Sequence, residues 1–193
     1  MTAPRPGTLV LVVGPSGSGK DTLLRLARVG LAGDGRFVFP RRIVTREAIA
    51  ELEDHRSVDR AGFEALRRQG GFALDWEAHG LGYGIPAGIA DDLAAGRIVV
   101  CNGSRQMIGA AAERFPSCHV LYVDAPPTIR ARRLASRGRE NAAEIAARLR
   151  REAAPPSQSI PATSIDNAGP LAIGATAILV ALLNIAAGEP TGS

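Results

Sequence analysis

The chain has 193 residues, 46% of them hydrophobic and 22% charged, which is enough for one sizeable core and short for two. A formal net charge of +4 suits anionic small molecules, whereas 4% aromatics leave few stacking platforms, so a nucleic-acid partner is not expected. Two cysteines without metal spacing, Cys101 and Cys118, read as reduced buried thiols, and the N-terminal apolar run is too short for a secretory leader; a cytoplasmic location is expected.

The apolar run over 8–13 leads into Gly14-Pro15-Ser16-Gly17-Ser18-Gly19-Lys20-Asp21-Thr22. Continuous apolarity suits a strand covered on both faces, and glycines let backbone N–H groups turn into a small concave space where a Cβ would clash. The run reads as strand, phosphate-cradling loop and helix over 20–31, with all nine residues as the nucleotide-binding set. Lys20 supplies a mobile charge for the β and γ phosphates. The next position usually carries the hydroxyl that holds magnesium, but here it is Asp21. The metal ligand is therefore Asp21, Thr22, or a water held by either.

From 37 to 86 the pattern changes to short strands, one helix and polar connections, as in a substrate-side module inserted into the core. Its helix is capped by Asp59, presents Phe63 and Leu66, and stops at Gly70-Gly71; a strand follows at 72–76. Strands at 97–101 and 119–123 alternate with helices at 106–115 and 128–136, which predicts a parallel sheet with helices on both faces. Ligands then sit at the carboxyl ends of the strands, where the glycine loop and Asn102-Gly103-Ser104-Arg105 fall. The Arg-rich stretch 128–152, stopped by Pro155-Pro156, reads as a lid. The uncharged stretch 168–188 reads as a buried helix interrupted by Gly169, Pro170 and Gly174 rather than as a membrane span. The whole is one domain: core 8–36, 87–127 and 153–188, module 37–86, lid 128–152.

Phosphoryl transfer needs positioning and charge neutralisation, and the chain places arginines at the corresponding landmarks. Arg41, Arg42 and Arg46 lie in the module, Arg105 follows a strand, and Arg133, Arg137, Arg139 and Arg148 lie in the lid. His55, His79 and His119 are scattered, and no nucleophile-and-base arrangement is suggested. A phosphate acceptor would explain that, because its oxygens are already ionised near neutral pH and need no general base. Thr45-Arg46 beside Arg105 is the expected acceptor clamp.

Taken together, the loop 14–22, Thr45-Arg46, Trp76 with Gly80, Tyr83 and Gly84, and Arg133-Leu134 through Arg137-Gly138 to Arg148-Leu149 resemble guanylate kinase over most of the chain. Ile49 stands where that family has a second arginine, and Glu51-Leu52-Glu53-Asp54-His55 replaces the rest of its GMP-holding stretch. Gly-Lys-Asp in the loop, Ile43-Val44-Thr45-Arg46, Glu53-Asp54-His55, Asn102-Gly103-Ser104-Arg105 and Arg137-Gly138-Arg139-Glu140-Asn141 are more similar to the ribose 1,5-bisphosphate phosphokinases. That resemblance implies an α/β P-loop nucleoside-monophosphate-kinase-like fold and an ATP- and Mg2+-dependent kinase. It further implies transfer of the γ-phosphoryl group onto the 1-phosphate of ribose 1,5-bisphosphate, giving 5-phospho-α-D-ribose 1-diphosphate in phosphonate catabolism. The residues implied are Lys20, Arg137 and Arg148 for catalysis, Asn167 beside the adenine, and Arg42, Thr45, Arg46, Glu53, His55, Tyr83 and Arg105 for the acceptor. Asp21 and Thr22 would hold the metal. Guanylate kinase, or a nucleotide-binding interaction module without turnover, are the alternatives; no membrane partner is expected, and the oligomeric state is open.

Overall fold

The computed structural model describes residues 6–46, 55–78, 80–136, 138, 142–151 and 160–189, with the backbone alone at Arg148, Arg150 and Arg151. Strand β1 (Thr8–Val13) is the centre of a sheet that also holds β2 (Phe37–Val38), β7 (Ile98–Asn102), β8 (Cys118–Asp124) and β9 (Ala162–Asp166). Among the described residues the order is β2-β7-β1-β8-β9 and every pairing is parallel. The strand order reverses at β1, so the crevice beyond its carboxyl end is where such a sheet binds ligands.

The continuous apolarity of β1 has the expected cause. Leu9, Leu11 and Val13 point to one face and Val10 and Val12 to the other, and all five are fully buried. On the second face, helix α1 (Lys20–Gly30) packs through Leu23 and Ala27 with helix α7 (Leu171–Ala187), which buries Ile178 and Leu182. The burial expected for this uncharged stretch holds for one face only: Leu171, Ile173, Val180 and Leu183 of α7 remain exposed, so packing accounts for the lack of charge on the inner face and not on the outer one. Among the described residues no helix is long and apolar enough to cross a membrane.

On the first face lies a second sheet, ordered β4-β3-β6-β5, built from β3 (Arg42–Val44), β4 (His55–Ser57), β5 (Phe72–Ala78) and β6 (Leu81–Pro86). Ala73, Leu74, Trp76 and Ile85 seat it on Leu9, Leu11 and Val13. Helix α2 (Arg60–Arg68) closes its outer side with fully buried Phe63, and the Asp59 carboxylate accepts from the Gly62 N–H at 2.7 Å, the cap its sequence predicts. One boundary differs from expectation. Phe37–Val38, assigned to the module from sequence, pairs with β7 in the main sheet because Phe37 packs in the core with Val10 and Val12.

Helix α3 (Ile89–Ala94) leads into β7. The helix expected over 106–115 begins as a 3-10 turn, Arg105–Met107, before α4 (Ile108–Arg114), a common tightening at a helix start. Helices α5 (Pro127–Ala135) and α6 (Ala142–Arg151) follow β8. Cys101 and Cys118 are buried free thiols, as expected; burial raises both, Cys118 to about 11.

Candidate active site

The glycine loop between β1 and α1 uses a left-handed backbone at Gly17 (φ +81°) and at Gly19 (φ +90°), the residue that caps α1. A Cβ at Gly17 would lie 2.8 Å from the Arg130 carbonyl oxygen, so this position excludes a side chain for space as well as for conformation. Three successive carbonyls of the loop are captured from outside. Arg130 Nε donates to Ser16 O at 3.1 Å, Arg133 donates to Gly17 O at 3.5 Å and to Ser18 O at 3.1 Å, and Asn167 Nδ2 donates to Ser18 O at 2.7 Å. In a planar trans peptide the carbonyl and the following N–H point opposite ways. Holding these carbonyls outward therefore turns the next amides toward the other side, as a phosphate cradle requires.

At the start of α1 the residues converge on Asp21. The Asn102 amide nitrogen, from the end of β7, donates to Asp21 Oδ1, and Arg42, from β3, stands 3.7 Å from the same oxygen. Lys20 Nζ lies 4.0 Å from Asp21 Oδ2. The Asp21 carboxylate and the Asn102 amide oxygen, which is buried without a donor among the described residues, are hard-oxygen groups of the kind magnesium takes, and Thr22 follows Asp21 in the first turn of α1. Among the described residues no group of three or more His, Cys, Asp or Glu could hold a metal. Phosphate oxygens complete such a site in kinases.

On the side of the second sheet, the Arg42 guanidinium sits 5.5 Å over the Tyr83 ring, and Tyr83 stacks on Trp76 with centroids 5.3 Å apart and 9° between planes. His55 pairs with Arg42 across β3 and β4 and is 7% exposed; burial first, and the Arg42 charge second, push its imidazole below 6.5. Thr45, expected to bind substrate, uses its hydroxyl oxygen to accept from the Gly82 N–H at 2.8 Å, which ties β3 to β6 beside Arg46. Arg105 reaches the Tyr122 hydroxyl, whose pKa burial and the Asp124 charge raise against the opposing effect of Arg105 and Arg130. A cleft of about 530 Å³ opens there, between the carboxyl ends of β8 and β9 and Leu149 of α6.

The structure thus brings Lys20, Asp21, Arg42, His55 and Tyr83 into one connected set and puts Arg105 on the neighbouring strand end. Glu53, Arg137 and Arg139 lie outside the described residues, as does the side chain of Arg148. Asn167 is 2% exposed and stands behind the glycine loop, its backbone N–H on Asp124 O and its carbonyl on Arg133. Sequence reading missed Arg130 as a loop contact and took Arg133 for a lid residue. Their signal was faint, two arginines three apart on a helix of which Arg130 is almost fully buried.

No family model matches the chain. The ribose 1,5-bisphosphate phosphokinase PhnN of Acidiphilium cryptum is 58% identical over 152 residues, 79% of this chain and 81% of that protein. The protein of the same name from Brucella abortus biovar 1 is 46% identical over 180 residues, 93% of this chain and 94% of its own. Among solved structures, guanylate kinase from Anaplasma phagocytophilum superposes with a TM-score of 0.65 at 20% identity, covering 97% of this chain and 88% of that one, which shows the fold. With that fold, a phosphate loop whose lysine is followed by aspartate, and relatives of this identity matched over 81% and 94% of their length, the chain belongs to the ribose 1,5-bisphosphate phosphokinase family.

Proposed function

We propose that the protein transfers the γ-phosphoryl group of ATP to the 1-phosphate of ribose 1,5-bisphosphate, forming 5-phospho-α-D-ribose 1-diphosphate and ADP. The observation that carries this reading is the meeting of two sides at Asp21: Lys20 and Asp21 belong to the phosphate loop, and Arg42, 3.7 Å away, belongs to the second sheet. A donor phosphate on the loop and an acceptor phosphate on Arg42 would face each other across this point. The names of the relatives supply the acceptor.

In the reaction, an ionised oxygen of the 1-phosphate forms a bond to the γ-phosphorus while the bond to the bridging oxygen of ADP breaks. The acceptor carries no proton that must be removed, so no side-chain base is needed. Lys20 balances charge on the β and γ phosphates, and Arg42, Arg46 and Arg105 hold the acceptor anion close to the donor anion. Arg137 and Arg148 are assigned to charge developing on the transferring group. Asp21 and Thr22 would hold magnesium, with Asn102 orienting Asp21; the ion would draw charge from the phosphoryl oxygens. Glu53 and His55 are assigned to the sugar end and Asn167 to the nucleotide side of the loop. Closure over the site is assigned to α6 and its flanks, since Arg130 and Arg133 bind α5 to the loop.

The test is to supply magnesium and ATP with either ribose 1,5-bisphosphate or GMP and to follow products by phosphorus NMR. A new diphosphate signal on ribose is the expected result. GDP formation alone would replace this reading with guanylate kinase, and nucleotide binding without product in either tube would leave an interaction module.

A further inference from the structure

Asn167 lies in the link between β9 and α7, outside the glycine loop, yet it is wedged against both that loop and α7. Its Nδ2 donates to Ser18 O at 2.7 Å, and its Oδ1 fills the space over Gly174, where a Cβ would come within 2.6 Å of that oxygen. The residue is 2% exposed, and its Oδ1 has no donor among the described residues, so packing and one directed bond hold the amide in place. Arg133 grips the same Ser18 carbonyl and, at 2.9 Å, the Asn167 carbonyl.

We infer that Asn167 is a positioning residue for the phosphate loop and that Gly174, on α7, is the specificity-free space that lets it act. Ser18 and Gly19 share one peptide plane. Pulling the Ser18 carbonyl back onto Asn167 turns the Gly19 N–H to the phosphate side and sets the left-handed turn from which α1 starts. A Cβ at Gly174 would meet the Asn167 side chain first, Oδ1 at 2.6 Å and Cγ at 3.3 Å, and would reach Leu23 Cδ2 of α1 at 3.3 Å; the contact with Asn167 Oδ1 is the one too close to stand. A β-carbon there cannot be absorbed by the α7 backbone, so the Asn167 amide must move and the hydrogen bond to Ser18 must lengthen.

This inference rests on the loop being a nucleotide site, and the test uses ADP with magnesium as the probe, independent of the acceptor. ADP affinity is measured by calorimetric titration for the unaltered protein, Gly174→Ala, Asn167→Ala and the double variant, with thermal unfolding recorded for each. Asn167→Ala is expected to weaken ADP about tenfold, the scale of one lost buried hydrogen bond that positions an anion site. Gly174→Ala is expected to weaken it by about half that factor alone and to add less than about twofold when Asn167 is already alanine, because its effect passes through that side chain. Asn167→Asp keeps the shape against Gly174 but turns an acceptor toward the Ser18 carbonyl, and should weaken ADP while leaving the KM of the sugar phosphate within about twofold. Equal Gly174→Ala effects in both backgrounds, or ADP affinity unchanged in Asn167→Ala and Asn167→Asp, overturn the inference. If the unaltered protein binds no ADP, the nucleotide-site reading falls and takes this one with it.

Discussion

Asn102, at the end of β7, donates a side-chain hydrogen bond to Asp21, the residue that follows the phosphate-loop lysine. Phosphate loops of this kind commonly place a hydroxyl after the lysine and an acidic residue at the end of a neighbouring strand. Here the carboxylate stands on the helix and the neutral amide on the strand, so the charge has changed places within one touching pair. Asn102→Ala should therefore raise the magnesium concentration needed for half-maximal ADP binding about tenfold, the usual cost of losing a partner that orients a metal ligand. Asn102→Asp alone sets two carboxylates side by side and should impair binding, while Asp21→Ser with Asn102→Asp should regain part of it. Magnesium titrations of ADP binding decide this; an unchanged midpoint in Asn102→Ala would remove Asp21 from the metal site.

Lys20→Ala should lower turnover by about two to three orders of magnitude, the scale seen when one preorganised charge on a developing anion is removed. Lys20 is partly exposed at 18% and packs in no apolar cluster, so thermal stability should stay close to that of the unaltered protein. Near-normal turnover with an intact fold would place the donor phosphates elsewhere.

Much of this arrangement is legible in the sequence because the information is local. The β1 run and its glycine loop lie within 15 consecutive positions, and Asp59, Phe63 and Gly70 mark both ends and the buried side of α2 within one segment. The back of the phosphate loop is different. Arg130 and Arg133 meet carbonyls 114 to 116 residues earlier in the chain, and Asn167 meets Ser18 across 149. Backbone carbonyls leave no residue-type signal, so a buried arginine that serves them looks the same in sequence as a solvated arginine on a lid. The placement of β2 fails for a related reason: two residues carry too short a pattern to say which of two sheets they join.

Stability should fall in mild acid, and the sign follows from two histidines. Burial, reinforced at His55 by the Arg42 charge, lowers the pKa of His55 and of His119 from the ordinary 6.5. On lowering the pH through 6.5 the unfolded chain takes up protons that the folded protein resists, so stability is complete above that value and is lost toward the lower folded values. Urea unfolding between pH 8 and pH 5 should show this loss. His119, whose Nε2 lies 2.9 Å from Thr163 Oγ1, is the simpler probe. His119→Gln keeps a polar partner for Thr163 without a titrating ring and should flatten the slope; the same slope in that variant and in His55→Gln would assign the acid effect to other groups.

Arg42 is the residue through which the acceptor side should be most sensitive. Its guanidinium lies over Tyr83, itself stacked on Trp76, and is close to Asp21, so the charge is aimed by an aromatic floor at the point where the two phosphates would meet. A planar, delocalised cation can keep the ring contact and still present donors along its edge, whereas an ammonium offers a point charge that does not stack. Arg42→Ala should therefore raise the KM for ribose 1,5-bisphosphate by about tenfold or more, with the KM for ATP changed by less than about threefold. Arg42→Lys should recover charge but little of the lost affinity. Tyr83→Leu, which keeps apolar bulk against Trp76 and removes the ring under the guanidinium, should produce a smaller loss of the same kind. Steady-state kinetics with each substrate varied in turn separates the two sides; if the ATP constant rose as much as the acceptor constant in Arg42→Ala, the residue would belong to the phosphate loop through Asp21 and not to the acceptor.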